Sequence, residues 1–361
     1  MTPNTRTDEV WILGATGRIG RAVAARLTAR GVTPVLVGRD GERLREAGAA
    51  LGQGDEVKVV VADTAEGIAA EIARERPAVV VNTIGDYAAT AVLIARACMP
   101  GGHYVDMAAD SVAIPRLLDL HHDATESGST LVTGAGFGVL ATEAVVVKLC
   151  EDRPAPREVR VDALASVATE AGVMGAAFAA SVVDVLTTGG RQYRDGRLVK
   201  TRLGADPHDF TLPDGETVKS AGVPSGELVA AQRASGAPSV TVTSALAPSS
   251  FAARAALPVL GVLLSVPPLR RLAVRQMAGT KAEAAPRPRR HSWGHAVITW
   301  ADGTSREGWL RAGDGMDYTA DVAAETALRL ARDEAGPGAY TPAAVFGPGL
   351  ATAAGAEFIL D

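Results

Sequence analysis

The chain has 361 residues, 47% of them hydrophobic and 21% charged, with a formal net charge of −5 at neutral pH. That length exceeds one small core and predicts two compact domains, and a slightly acidic balance without charged tails excludes general nucleic-acid binding. Two cysteines, Cys98 and Cys150, make neither a disulfide framework nor a metal-ligand set, the opening MTPNTRTDEV lacks an apolar signal core, and the apolar stretch 256–269 carries three prolines and falls short of the roughly 20 residues of a span. The expectation is a cytoplasmic protein without a metal or a membrane span.

The first 140 residues alternate β-branched runs with helical patterns. A strand at Glu9–Leu13 leads to a helix from Arg18 to Arg30, a strand at Pro34–Val37, a helix over Glu42–Leu51, the run VKVVVAD ending at Asp63, and a helix to Arg76. AVVVNTIG (78–85), a helix over Ala88–Cys98, the short strand HYVDMA, a helix over Ile114–Ser127 and STLVTGAG follow. Six βα units in series predict an α/β protein with a doubly wound Rossmann domain over 1–140, whose ligands sit at the carboxyl ends of its strands. After a helix at Ala141–Cys150 the texture turns strand-rich: REVRVDALAS, SVTVTSALA, and a hairpin over 295–312 turning at Asp302-Gly303. This predicts an inserted α+β substrate domain over 141–317, and the helical MDYTADVAAETALRLARDE opens a segment, 318–361, expected to return to the first domain.

The glycines of WILGATGRIG carry the functional reading. Gly14 permits a tight turn, Gly17 permits close approach of a phosphate to the backbone, and Gly20 permits close packing of helix on strand, so Gly14, Ala15, Thr16, Gly17, Arg18 and Ile19 are candidate dinucleotide ligands through main-chain amides. The bland alternative is a bare strand–helix turn. About 20 residues beyond a glycine turn a dinucleotide fold distinguishes the ribose 2′ substituent. There stand Gly38, Arg39 and Asp40: Arg39 suits a 2′-phosphate, whereas Asp40 suits a free hydroxyl or merely caps the next helix. With Arg43 close by, NADP is favoured and NAD is the second choice. Asp63, at the end of a further strand, joins the candidate cofactor set, and Asn82, Thr83 and Gly85 close the fourth strand.

With these motifs in hand, the chain resembles the saccharopine dehydrogenase-like oxidoreductases. The resemblance is carried over nearly the whole length by GATGRIG, VGRD, the AD at 62–63, NTIGDYAATAVLIARACMPGGHYVDMAAD, STLVTGAGFGVL and the closing DYTADVAAETALRLA…GAYTPAAVFGP. The family includes saccharopine reductases, related polyamine dehydrogenases and actinobacterial trans-acting enoyl reductases. The resemblance implies a nicotinamide-binding Rossmann domain with Asn82, Thr83 and Gly85 lining the cofactor, an inserted domain bearing substrate contacts and a final helix returning to the first domain. Family members often have GPY where this chain has Gly85-Asp86-Tyr87, and saccharopine reductases carry DPG where it has GAGFGVLATE, departures that weaken the case for an amino-acid adduct as substrate. Region 250–290, apolar and then RRLAVRQMAG and APRPRRHSWGH, looks like that of the enoyl reductases and implies a greasy or carrier-tethered substrate.

Because the cofactor supplies the hydride, few catalytic side chains are obligatory. Tyr87 is a candidate proton donor or a packing residue, with the two readings equally weighted. Asp106 is a candidate catalytic carboxylate or a loop cap. Phe137 is a candidate wall against the substrate and nicotinamide, and Glu143 an acid or a first-turn helix residue. Thr169 and Glu170 are candidate substrate residues before a small-residue helix, for which close packing through Gly175 and Ala176 is the alternative. His121 and His122 fall on a polar helix face, and His291 and His295 are separated by Gly294 in a strand-like run unsuited to a metal. Arg287, Arg289 and Arg290 suit the phosphate of a phosphopantetheine or coenzyme A, or a solvated loop. The resulting expectation is an NADP(H)-dependent reductase of a C=N or an activated C=C bond, with 256–269 suited either to a homodimer interface or to a substrate tunnel. A non-catalytic nucleotide sensor or scaffold is the alternative.

Overall fold

The computed structural model describes residues 6–52, 57–173, 176–245, 247 and 251–360. The chain divides into two compact units: 1–108 with 112–140 and 316–355, and 109–111 with 141–315 and 356–361.

The first unit begins β1 (Val10–Leu13), α1 (Arg18–Ala29), β2 (Val35–Gly38), α2 (Gly41–Ala50), β3 (Val59–Val61), α3 (Ala65–Glu75), β4 (Val79–Asn82), α4 (Tyr87–Cys98) and β5 (His103–Asp106). α5 (Ala113–Leu118), α6 (His121–Glu126) and β6 (Thr130–Val132) follow, and α7 (Phe137–Cys150) crosses into the second unit. Its sheet is wholly parallel, in the order β3-β2-β1-β4-β5-β6 and then Gly338–Tyr340. The strand order reverses between β1 and β4, where doubly wound sheets open a crevice for ligands. The strands are continuous apolar runs because helices cover both faces: Val10–Leu13 and Val79–Asn82 are fully buried, and Trp11, Leu13, Val37 and Val80 share a core with Ile68, Ile72 and Ile94.

The doubly wound expectation is met, with local differences. The helix expected over Ile114–Ser127 is two short helices, interrupted at Asp119–Leu120. The helix expected from Ala141 starts at Phe137, so most of GFGVLATE is helical rather than loop. A seventh strand, Gly338–Tyr340, pairs with β6 after the long helix Gly315–Ala331. Segment 318–361, expected to return whole to the first unit, is divided, because its last strand, Glu357–Leu360, pairs antiparallel with a second-unit strand, Ser305–Ala312.

The second unit holds β7 (Glu158–Leu164), β8 (Gly172–Val173), α8 (Ala176–Thr188), β9 (Gly190–Arg194), β10 (Arg197–Thr201), β11 (His208–Thr211), β12 (Thr217–Gly222) and α9 (Glu227–Ser235). β13 (Ser239–Ser244), α10 (Phe251–Leu264), α11 (Pro267–Ala278), β14 (Lys281–Ala282), β15 (Ser292–Thr299) and β16 (Ser305–Ala312) complete it. Its main sheet is mixed, in the order β10-β9-β13-β7-β15-β16 and then Glu357–Leu360. The β11–β12 hairpin joins through β13. The expected hairpin is the β15–β16 pair, whose Gly303 has φ +83° and whose Asp302 Oδ1 accepts from the Thr304 amide at 2.9 Å. Gly175 lies outside the described residues.

Candidate functional site

β1 ends in a turn that only glycine can make. Gly14 has φ +74°, and a Cβ there would lie 2.9 Å from Thr83 Oγ1. A Cβ on Gly20 would lie 2.3 Å from the Gly14 carbonyl oxygen. The amides of Gly14 and Ala15 donate to the Val37 carbonyl at 2.9 and 3.2 Å, and that of Gly17 donates back to the Gly14 carbonyl at 2.9 Å. Gly17 therefore begins α1 in an extended conformation (φ −77°, ψ 167°) with no side chain to cover the first-turn amides, and that turn contains no acidic residue. Such a helix end favours an anion.

Gly38, Arg39 and Asp40 follow at the end of the neighbouring strand. The Asp40 carboxylate is the N-cap of α2: its Oδ1 accepts from the amides of Glu42 (3.0 Å) and Arg43 (3.2 Å), while Arg39 is exposed. Asp63 is exposed just past β3, two strands away from β1.

On the other side of the crevice, β4 and β5 end in a buried polar chain. Asn82 Oδ1 accepts from the Ile84 amide (3.2 Å), and its Nδ2 donates to Tyr104 Oη (3.0 Å), whose hydroxyl donates to Asp106 Oδ2 (2.9 Å). Asp106 Oδ1 accepts from Thr133 Oγ1 (2.8 Å), the Ala108 amide (3.0 Å) and the Gly134 amide (3.1 Å). Burial pushes the Asp106 carboxyl up, against these donors, and pushes the Tyr104 phenol far above its ordinary value. Thr83 is pinned to β1, its hydroxyl donating to the Leu13 carbonyl at 2.6 Å, and Gly85 turns the chain with φ +76°. Tyr87 opens α4 half-buried and donates to the Asn82 carbonyl at 3.3 Å.

The structure thus brings Gly14–Ile19, Gly38–Asp40, Asn82–Gly85, Tyr87 and Asp106 to the carboxyl ends of adjacent parallel strands. Asp106 has no exposed surface, and both its oxygens accept hydrogen bonds, Oδ2 from Tyr104 and Oδ1 from Thr133 and two amides. Phe137 is buried edge-on to Tyr318, with centroids 6.1 Å apart, and Glu143 is buried in α7. In the second unit, Thr169 and Glu170 are exposed beside Ala285, with which Thr169 exchanges main-chain hydrogen bonds of 2.9 and 3.0 Å. Arg289 is taken up internally, its guanidinium donating to the Ala165 carbonyl at 3.1 Å, whereas Arg287 and Arg290 are exposed.

Sequence reasoning missed two features of the second unit. His295 is buried between two carboxylates, with Nδ1 3.0 Å from Asp162 Oδ2 and Nε2 2.8 Å from Glu307 Oε1, and it stacks on Trp309 at 3.8 Å. Asp162 Oδ1 also accepts from Ser220 at 2.9 Å and from Thr243, with His208 Nε2 3.5 Å away. Burial alone would raise the Asp162 carboxyl; the neighbouring His208 and hydrogen bonds from His295 and Thr243 instead hold it well below the usual range. Glu227, the first residue of α9, is buried with its carboxyl pushed up, and its Oε2 has no hydrogen-bond partner among the described residues. The only sequence signal was polar residues inside strand patterns; partners 133 positions apart, as Asp162 and His295 are, carry none.

No family model matches the chain. It is 30% identical over 154 residues to a trans-acting enoyl reductase of Mycobacterium leprae, covering 41% of this chain and 37% of that protein. It is 29% identical over the same shares to a trans-acting enoyl reductase of Mycobacterium tuberculosis. The chain thus matches little more than a third of these relatives' length. Among solved structures, apo saccharopine dehydrogenase (L-Glu forming) from Saccharomyces cerevisiae superposes with a TM-score of 0.60 at 13% identity, covering 97% of this chain and 99% of that one. The resemblance to saccharopine dehydrogenase-like proteins expected from the motifs is borne out: the fold is theirs, and the sequence relatives are reductases. No helix among the described residues is long and apolar enough to cross a membrane.

Proposed function

We propose that this chain, built on the saccharopine dehydrogenase fold, is an oxidoreductase that uses NADP(H) to reduce an activated C=C bond of a small or carrier-tethered biosynthetic substrate. The observation that carries the reading is the glycine turn at the β1/β4 switch point, with its uncapped, acid-free helix start. The turn fits a pyrophosphate because Gly17 has no Cβ where the phosphate would approach, and Gly20 lets α1 seat against the Gly14 carbonyl. Asp40 spends Oδ1 on two α2 amides, which supports Arg39 as the group that meets the ribose and hence a 2′-phosphate.

When bound, the cofactor supplies a hydride to the electron-poor carbon. The chain's own contribution is to hold and orient. Thr83 and Gly85 shape the β4 end, and the Asn82–Tyr104–Asp106 chain stiffens the loops after β4, β5 and β6. Tyr87, whose Oη donates to the Asn82 carbonyl at the end of β4, is the proposed proton donor. The C=C reading draws on the enoyl reductases among the sequence relatives and on Asp106: imine reduction gains from a carboxylate near the nicotinamide, and the one expected there is fully occupied. The test is NADPH oxidation by the purified protein with α,β-unsaturated thioesters and with cyclic imines. Turnover of thioesters is expected; turnover of imines alone contradicts the bond assignment, and saturable NADPH binding without turnover of either favours a sensor.

A further inference from the structure

More than half of the exposed large apolar side chains among the described residues crowd into one short stretch, 259–272. On α10, Val259, Val262 and Leu263 fall on one helical face, and that face points outward, with Val259 64% and Val262 72% exposed; Val266, at the N-cap of α11, is exposed just beyond it. The opposite face is seated on α8, where Gly261 approaches so closely that a Cβ would lie 2.7 Å from the Leu186 carbonyl oxygen. α11 adds Leu269 and Leu272, both exposed, and fully buries none of its twelve residues. A helix pair that turns its apolar stripe away from its own core is built to meet something apolar.

Charge identifies that something. Residues 251–282 contain four arginines and one lysine and not a single Asp or Glu. Arg270 is anchored to Asp184 of α8 at 2.7 Å, while Arg271 and Arg275 are exposed beside Leu272. A symmetric contact of this segment with itself in a second copy would gather both sets of arginines in one interface with no acid in the segment to pair them. An anionic headgroup layer over acyl chains satisfies both the charge and the apolar stripe. Length fixes the mode: the 14 residues of α10 span about 21 Å, short of a hydrocarbon core of about 30 Å, and Pro267 and Pro268 at the start of α11 break the run, so the pair lies in the interface rather than across it.

We infer that α10 and α11 form a docking surface for an anionic lipid bilayer, entered by Val262, Leu263 and Val266 and held by Arg271 and Arg275. The test is co-sedimentation of the full chain with phosphatidylcholine vesicles, alone or doped with phosphatidylglycerol, with the oligomeric state followed by analytical ultracentrifugation. The doped vesicles are expected to pull the protein down and the neutral ones to do so far less. Arg271→Gln and Arg275→Gln should each weaken binding roughly fivefold, and Val262→Ser with Leu263→Ser about tenfold or more, with circular dichroism and thermal unfolding unchanged because these side chains are exposed. Protein that stays in the supernatant with doped vesicles overturns the inference. Binding indifferent to both sets of substitutions also overturns it, as does a dimer that Val262→Ser with Leu263→Ser dissociates in the absence of any vesicle binding.

Discussion

Replacing Asp106 by Asn probes the floor of the candidate site one hydrogen bond at a time. The amide oxygen can take over from Oδ1 and accept from Thr133 Oγ1 and from the Ala108 and Gly134 amides. The new NH2 then faces Tyr104 Oη, which already accepts from Asn82 Nδ2, so the Tyr104 proton loses its acceptor where neither residue has exposed surface. One orphaned buried donor costs about 1–3 kcal/mol. Relief from burying a charge offsets part of this, leaving a loss of about 2 kcal/mol. The assay is urea unfolding of Asp106→Asn, Tyr104→Phe and the double variant. Because Tyr104→Phe removes the orphaned proton, it should cost less in the Asn background than in the native one, by about 1 kcal/mol or more of coupling. Additive losses would refute the proposed chain of bonds. Native stability with turnover abolished would refute the reading of Asp106 as a loop cap and return it to the chemistry.

Other consequences are as direct. Gly20→Ala sets a Cβ 2.3 Å from a carbonyl oxygen and should cost about 3 kcal/mol or more, read as a lower urea midpoint. Arg39→Ala should raise the NADPH dissociation constant about 10- to 100-fold and leave NADH nearly unchanged; equal effects overturn the 2′-phosphate assignment. Tyr87→Phe should lower kcat with little effect on NADPH affinity, and an unchanged rate removes it as proton donor. Asp162→Asn takes away a buried carboxylate oxygen that His295 Nδ1 meets at 3.0 Å while Oδ1 accepts from Ser220 and Thr243, and should cost about 1–3 kcal/mol at neutral pH. Since its folded pKa lies below the unfolded value of about 3.9, the native contribution is complete above that value and fades as pH falls through the folded one. Stability measured from pH 7 downward should therefore fall more steeply below pH ~4 in the native protein than in Asp162→Asn.

The first unit was legible because its strands are continuous apolar runs and its glycine turn has a steric cause that spacing alone displays. What escaped had no local signature. Gly338–Tyr340 is three residues long and borrows its strand character from β6. Phe137 and Gly138 read as loop yet are helical, a choice made by the packing of α7 rather than by propensity. Asp40 could be read as ribose ligand or as cap, and only the positions of the Glu42 and Arg43 amides show the cap. Asp106 was recognisable as a strand-end carboxylate, but its donors come from β5, from the loop after it and from beyond β6, and no sequence pattern assembles them. The Asp162–His295–Glu307 cluster depends on the register of β7, β15 and β16, which pairs His295 with Asp162 across the sheet.

The most direct measurement is calorimetric titration of NADPH and NADH onto the native chain and onto Gly17→Glu. Gly17 has an ordinary φ of −77° and is exposed, and a Cβ there would meet only the Gly14 carbonyl oxygen, at 3.2 Å, so the variant, its fold checked by circular dichroism, should place a carboxylate where the pyrophosphate belongs. Saturable binding to the native protein, tighter for NADPH and lost in the variant, is the predicted result. Absence of binding by either nucleotide, or undiminished binding to Gly17→Glu, would contradict it.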